Sequence, residues 1–269
     1  PAESLEAAGD DASDPTGVPE AGLARAPAPP DELPRGRLSG SFLHEIIERL
    51  PLATLIQAPA FEDWRRLPEV AALFEQMRRR HDRHPAHLAH AQRLVHTALT
   101  VPVRLGDVTI AGLGGATRPT REMEFLYPIP ERHHPAFAAA GGAADAPAWR
   151  IERGVVKGFI DYLFEHDGRI YVCDWKSDAL PSWDAATVAA HCERGYAVQA
   201  QLYTLAAVRL LDLTGAESFA RRFGGVLYCF LRGMRAGDPD AGVYFHRPTW
   251  GEILDWQRAM LDPAYWGRA

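Results

Sequence analysis

Lysine is almost missing from this chain. Of its 29 lysine and arginine residues only two are lysine, Lys157 and Lys176, and both lie in one stretch, VVKGFIDYLFEHDGRIYVCDWKSD, residues 155–178. Cysteine is also scarce. Cys173, Cys192 and Cys229 are widely spaced and odd in number, which excludes a disulfide framework and a cysteine-based zinc site and fits a reducing, cytoplasmic setting. No apolar run reaches the length of a bilayer span, so no membrane partner is expected. There is no GxxxxGK[ST] phosphate loop, and hence no ATP site in this chain. The N-terminus is acidic and Pro/Ala-rich, unlike a signal peptide. It begins at Pro1 without a methionine, as expected of a processed chain or a piece of a longer one.

Large apolar residues are nearly absent from residues 1–37, which hold eight acids against three arginines. Such a segment buries too little surface to offset its ordering entropy and reads as a disordered acidic linker. The folded domain is expected over 38–269. The linker carries most of the net charge of −6, so the remainder is near neutral and contact with DNA is not excluded.

The chain as a whole has the 47% hydrophobic and 24% charged composition of a soluble globular protein. Apolar spacing predicts a helix from LSGSFLHEIIERL, capped by Ser39 or Ser41, with Leu43, Ile46, Ile47 and Leu50 on one face. EVAALFEQMRRR and HLAHAQRLVHTALT read as further helices. VRLGDVTIAGL and TREMEFLYPI alternate like strands, and FAAAGGAADAPA reads as a loop. GFIDYLFEHDGRIYVCDWK predicts a hairpin turning at Asp167-Gly168. One long helix is expected over 187–213, then a buried central strand at GGVLYCFLRG, a short strand at GVYFHRP and a closing helix.

Asp174 and Lys176, two apart on a strand, share a face. On the preceding strand Asp161 is expected to share a face with Phe159, Leu163 and Lys157, and hairpin closure brings Asp161 towards Asp174. Converging carboxylates need a positive partner, and hard oxygen ligands suit Mg²⁺ or Mn²⁺. Such an ion acidifies water and stabilises a phosphoryl transition state. Lysine is a compact, rotatable donor, which arginine is not. An Asp-X-Lys triplet by itself also fits a surface ion pair at a strand end. The histidine tract His81, His84, His87, His90, His96 and the run Arg78–Arg80 read as solvated helical surface.

Asp161 followed by DWK thirteen residues later resembles the PD-(D/E)XK nuclease superfamily. YAVQAQLYTLA, with Gln199 and Tyr203, and GSFLHEIIE, with Gly40 and His44, resemble the helical motifs of its RecB branch, and the likeness extends over nearly everything from Leu38 onward. Ile160 stands where the superfamily name has proline, as is common in that branch. The resemblance implies an α/β restriction-endonuclease-like core, a mixed central β-sheet flanked by α-helices, with an N-terminal helical segment. It implies His44, Asp161, Asp174 and the backbone carbonyl of Trp175 as metal ligands, Lys176 as the catalytic lysine, and Gln199 and Tyr203 lining the site. Lys157 and Gln201 are candidate DNA contacts. Glu122 or Glu124 could add a carboxylate, although strand-edge solvation is the preferred reading. The implied activity is Mg²⁺-dependent exodeoxyribonuclease chemistry on single-stranded and possibly double-stranded DNA, with Mn²⁺ as a substitute and Ca²⁺ binding without cleavage. Four-cysteine iron–sulfur variants of the branch are excluded by three cysteines. The implied setting is the nuclease end of a helicase–nuclease with RecC and RecD subunits, acting in double-strand-break repair and delivering RecA. A non-catalytic module of the same fold and a stand-alone phage or restriction-type nuclease are the rivals.

Overall fold

The computed structural model describes residues 5–6, 29–129 and 154–260. The expected loop at 137–148 and most of the expected linker lie outside the described residues. The chain runs α1 (Arg37–Arg49), α2 (Ala53–Gln57), α3 (Phe61–Trp64), α4 (Pro68–Arg80) and α5 (Leu88–Thr100), preceded by a two-residue strand β1 (Leu5–Glu6). Strands follow at β2 (Val103–Leu105), β3 (Val108–Ile110), β4 (Thr117–Ile129), β5 (Gly154–His166) and β6 (Arg169–Lys176). Then come α6 (Ala185–Gly195), α7 (Ala197–Leu210), α8 (Ala216–Arg222), β7 (Phe223–Phe230), β8 (Val243–His246) and α9 (Trp250–Ala259). Among the described residues no helix is long and apolar enough to cross a membrane.

The main sheet has the order β1-β5-β6-β7-β8, with β4 also on β5. It is mixed: β4–β5, β5–β6 and β7–β8 are antiparallel, whereas β6–β7 is parallel. The β5–β6 hairpin turns at Asp167 and Gly168, both with positive φ (49° and 72°), as a two-residue turn matched to strand twist requires. Every residue of β7 is buried, as expected of a strand covered on both faces. One core packs α1, α4 and α5 against Tyr162, Phe164, Tyr171, Cys173 and Trp175. The other packs α6, α7 and α9 against Val156, Ile160, Leu163, Val172 and Tyr228. The architecture is an α/β/α sandwich.

Four expectations are corrected. Neither Ser39 nor Ser41 caps α1: the helix starts after Gly36 (φ 104°), and Ser39 is buried inside it. The helix expected over 187–213 is two helices, broken at Gly195–Tyr196. Ordered packing begins before residue 38, since Leu33 is fully buried and Arg232 donates to the carbonyls of Leu33 and Pro34. The histidine tract is not simply solvated. His96 is buried, His90 Nδ1 accepts the Leu33 N–H, and His81 meets Glu45 at 2.6 Å.

Candidate metal and catalytic site

The site forms where the sheet changes its alternation. N-terminal to Asp161 on β5, Val156 and Ile160 face the second core; beyond it, Tyr162 and Phe164 face the first and Leu163 the second. Asp161 therefore does not share a face with Leu163, contrary to the expectation from simple period-two counting. The β4 register places Met123 against Ile160 and Arg121 against Tyr162, so Glu122 stands opposite Asp161, and Glu122 has a φ of 49°. A left-handed, non-glycine residue in mid-strand is a local kink. Both strands reverse their facing at the same level, which aims two carboxylates out of the regular pleat.

The pairing of β5 with β6 ends at Tyr162–Cys173. Just beyond, the Trp175 backbone N–H donates to Asp161 Oδ2 at 2.8 Å. A side chain thus takes the place of a ladder bond, fixing one Asp161 oxygen next to the Asp174–Lys176 step. Helix α1 crosses the sheet at this level. Its Gly40 lies so close to Ser177 that a Cβ there would sit 2.8 Å from the serine Oγ. Its C-terminal carbonyls, Ile47 and Leu50, are held by Arg121. Between these anchors His44 Nδ1 comes to 3.4 Å from Asp161 Oδ2.

Ligand atoms of His44, Glu122 and Asp161 all lie within 4.8 Å of one another. Two carboxylates and an imidazole, half-buried, are a fitting donor set for Mg²⁺ or Mn²⁺. Glu122 occupies the place in this cluster that the sequence reading gave to Asp174. That reading named Glu122 with Glu124 as a possible added carboxylate but preferred strand-edge solvation, because nothing in the sequence reveals the β4–β5 register across the intervening residues. Glu124 lies elsewhere, paired with Lys157 at 3.1 Å.

Asp174 and Lys176 face the other side of β6, towards α7, and both are buried (2% and 1% exposed). Their side chains meet at 2.8 Å. Lys176 Nζ donates to Gln199 Oε1 at 3.1 Å, and Gln199 Nε2 donates to the Tyr203 hydroxyl at 2.8 Å. Burial pushes the Tyr203 hydroxyl well above its ordinary pKa, followed by the charges of Asp174 and Asp161 and a hydrogen bond to Asp174. Tyr203 therefore stays protonated, and its hydroxyl hydrogen-bonds to Asp174. The result is a closed ring, Lys176–Gln199–Tyr203–Asp174, in which i, i+4 spacing sets Gln199 and Tyr203 on one helix face. Gln201 is half-buried on α7 and off that face.

Two aromatic residues escaped the sequence reading. The Tyr196 ring centroid lies 4.0 Å from Lys176 Nζ and that of Tyr228 5.4 Å, a cation–π roof over the ammonium. Tyr196 is placed by the α6–α7 break and held by its hydroxyl on Asp178, which also meets His191 at 3.2 Å. Burial would raise the Asp178 pKa, but the His191 and Tyr196 hydrogen bonds outweigh it and leave the pKa lowered. A helix break seen only in three dimensions gave no warning in the apolar pattern.

The sequence of this chain is similar to those of known proteins. A model of the PD-(D/E)XK nuclease superfamily matches residues 20–262. The chain is 31% identical to RecBCD enzyme subunit RecB of Escherichia coli (strain K12) over 88% of this chain and 20% of that protein. It is 28% identical to the Haemophilus influenzae RecB over 81% of this chain and 18% of that one, and 21% identical to the Borreliella burgdorferi RecB over 90% and 21%. The chain thus spans about a fifth of these relatives. With its mixed sheet between helical layers and its Asp161, Asp174 and Lys176 at the end of the hairpin, the chain belongs to the PD-(D/E)XK nuclease superfamily.

Proposed function

We propose that this domain, from residue 29 onward with the acidic segment before it as tether, is the Mg²⁺-dependent DNA nuclease of a RecB-type helicase–nuclease. The observation that carries the reading is the meeting of two sets of side chains across one peptide. The His44–Glu122–Asp161 donor cluster lies on one side of the Trp175 N–H, and the Asp174–Lys176–Gln199–Tyr203 ring on the other.

His44, Glu122 and Asp161 would hold the ion, and the resemblance adds Asp174 and the Trp175 carbonyl as further oxygen ligands. The ion supplies charge neutralisation at the phosphate and acidification of the attacking water. Lys176, fixed by Asp174 and Gln199, is a preorganised donor for the charge that develops on the phosphoryl oxygens. Tyr203 and Gln199 hold Lys176 at one position and so spare its reorganisation during the reaction. The tyrosine roof excludes water from the ammonium. Lys157 is ion-paired with Glu124, so a phosphate contact from it requires that pair to open; Gln201 is a second DNA contact. By analogy with the relatives, the partners are RecC, RecD and RecA, and double-strand-break processing is the biological role.

The test is cleavage of end-labelled single-stranded DNA by the 269-residue chain in Mg²⁺, Mn²⁺, Ca²⁺ and chelator, beside Asp174→Ala and Lys176→Ala. Cleavage in Mg²⁺ that disappears in chelator and in both variants supports the reading. A folded protein that binds DNA but never cuts it, alone or with RecC and RecD, would make it a non-catalytic module.

A further inference from the structure

Beside the donor cluster the sheet carries an apolar patch that the metal chemistry does not use. Phe159 is 43% exposed and Leu126 62% exposed. Register pairs Phe159 with Glu124 and Leu126 with Lys157 on the neighbouring strand, so the two apolar side chains are diagonal neighbours on one face. Ile160 and Phe125 face the second core. Phe159 and Leu126 therefore face the opposite side, the side on which α1 carries His44. Among the described residues helix α1 meets that side at the level of Ser177, Asp161 and Arg121, and beyond it Phe159 and Leu126 stay exposed.

The spacing fits a nucleotide strand. Phe159 precedes Asp161 by two residues, roughly 7 Å along the strand, which is about one step of an extended single strand. Lys157 Nζ lies 5.3 Å from the Phe159 ring centroid and 3.1 Å from Glu124. The Lys157–Glu124 pair leaves little net charge around the ring. A phosphate gains little there, whereas an uncharged base face gains stacking. An exposed aromatic ring, here two residues from Asp161, is the means by which single-strand binders hold bases without reading them.

We propose that Phe159, backed by Leu126, is the stacking platform for the nucleobase next to the scissile phosphate. The proposal rests on the nuclease reading and adds a positioning role for the base. It makes the site sequence-tolerant, because every base offers a π-face, and selective for strands whose bases are unpaired.

The test is equilibrium binding of a fluorescein-labelled thymidine oligonucleotide, and of the same oligonucleotide with abasic positions, to the full chain in chelator. The proteins are wild type, Phe159→Ala and Phe159→Trp. Phe159→Ala should bind the intact strand about tenfold more weakly, Phe159→Trp should bind it as the wild type does, and abasic positions should weaken the wild type but not Phe159→Ala. Equal affinity of wild type and Phe159→Ala, or an abasic penalty that persists in Phe159→Ala, overturns the platform and leaves the patch to a protein partner. Parallel cleavage assays in Mg²⁺ separate the two readings. A wild type that cuts DNA with affinity independent of Phe159 sinks the platform alone, while base-dependent binding without cleavage by any preparation sinks the nuclease alone.

Discussion

Lys176 is buried with a carboxylate, and that fixes what its removal must do. Lys176→Met should lower cleavage by roughly 10²–10⁴-fold, the range for loss of a positioned donor. It also leaves Asp174 buried without its cation, which costs about 3–5 kcal/mol. Adding Asp174→Asn should recover part of that stability without recovering activity; urea titration of both variants checks this, and a double variant no more stable than Lys176→Met refutes the ion-pair account. Glu122 makes a separate prediction. Glu122→Gln should weaken Mn²⁺ binding by calorimetry at least tenfold, while Glu124→Gln, outside the cluster, should leave it unchanged. Equal effects of the two would remove Glu122 from the site. At this scale the sequence placed Asp161, Asp174 and Lys176 near the end of one hairpin because hairpin geometry is local, but it put Asp174 on the side of the sheet opposite to the one it takes. It concealed Glu122, whose place depends on strand register, and Tyr196, whose place depends on a helix break.

The elements show the same division between local and distant information. The turn at Asp167-Gly168 and the buried strand β7 were legible because turn chemistry and apolar runs are written in consecutive residues. The reversal at Glu122 and Asp161 was not, since period two was assumed to persist through the strand. Nor was the role of the histidines on and before α5, which depends on the elements packed over them. Burial lowers the pKa of His96, which holds the Pro59 carbonyl from its Nε2, and also that of His90. A depressed base is neutral in the fold and takes up a proton on unfolding. Its stabilisation is complete above the ordinary histidine value of 6.5 and is lost as pH falls from there through the folded-state pKa. The urea midpoint should therefore fall between pH 7.5 and pH 5.5, and His96→Gln should reduce that slope. An unchanged slope in His96→Gln would assign the acid sensitivity to other groups.

The two cores lie on either side of one sheet, and at the site groups from both sides meet. His44 comes from the first helical layer, Gln199 and Tyr203 from the second, and the hairpin joins them. The chain upstream of α1 is bound into the same region. Arg232, at the end of β7, donates to the carbonyls of Ser177, Leu33 and Pro34 and lies 3.6 Å from Glu32. Ser177, the residue after Lys176, and the segment leading into the domain thus share one guanidinium. A chain beginning at residue 38 loses the burial of Leu33, about 2 kcal/mol, and strips Arg232, whose side chain is 6% exposed in the intact chain, of three of these partners. Compared with a chain beginning at residue 29, it should melt roughly 5–10 °C lower, given about 2–4 °C per kcal/mol at this size. Introducing Arg232→Ala into both chains should shrink that gap, because the two changes remove the same contacts. Thermal melts of the four proteins decide it. Equal melting of the two starting points would show that the upstream segment rests on the domain without stabilising it, whereas a gap untouched by Arg232→Ala would credit Leu33 alone and leave the Ser177 connection without energetic weight.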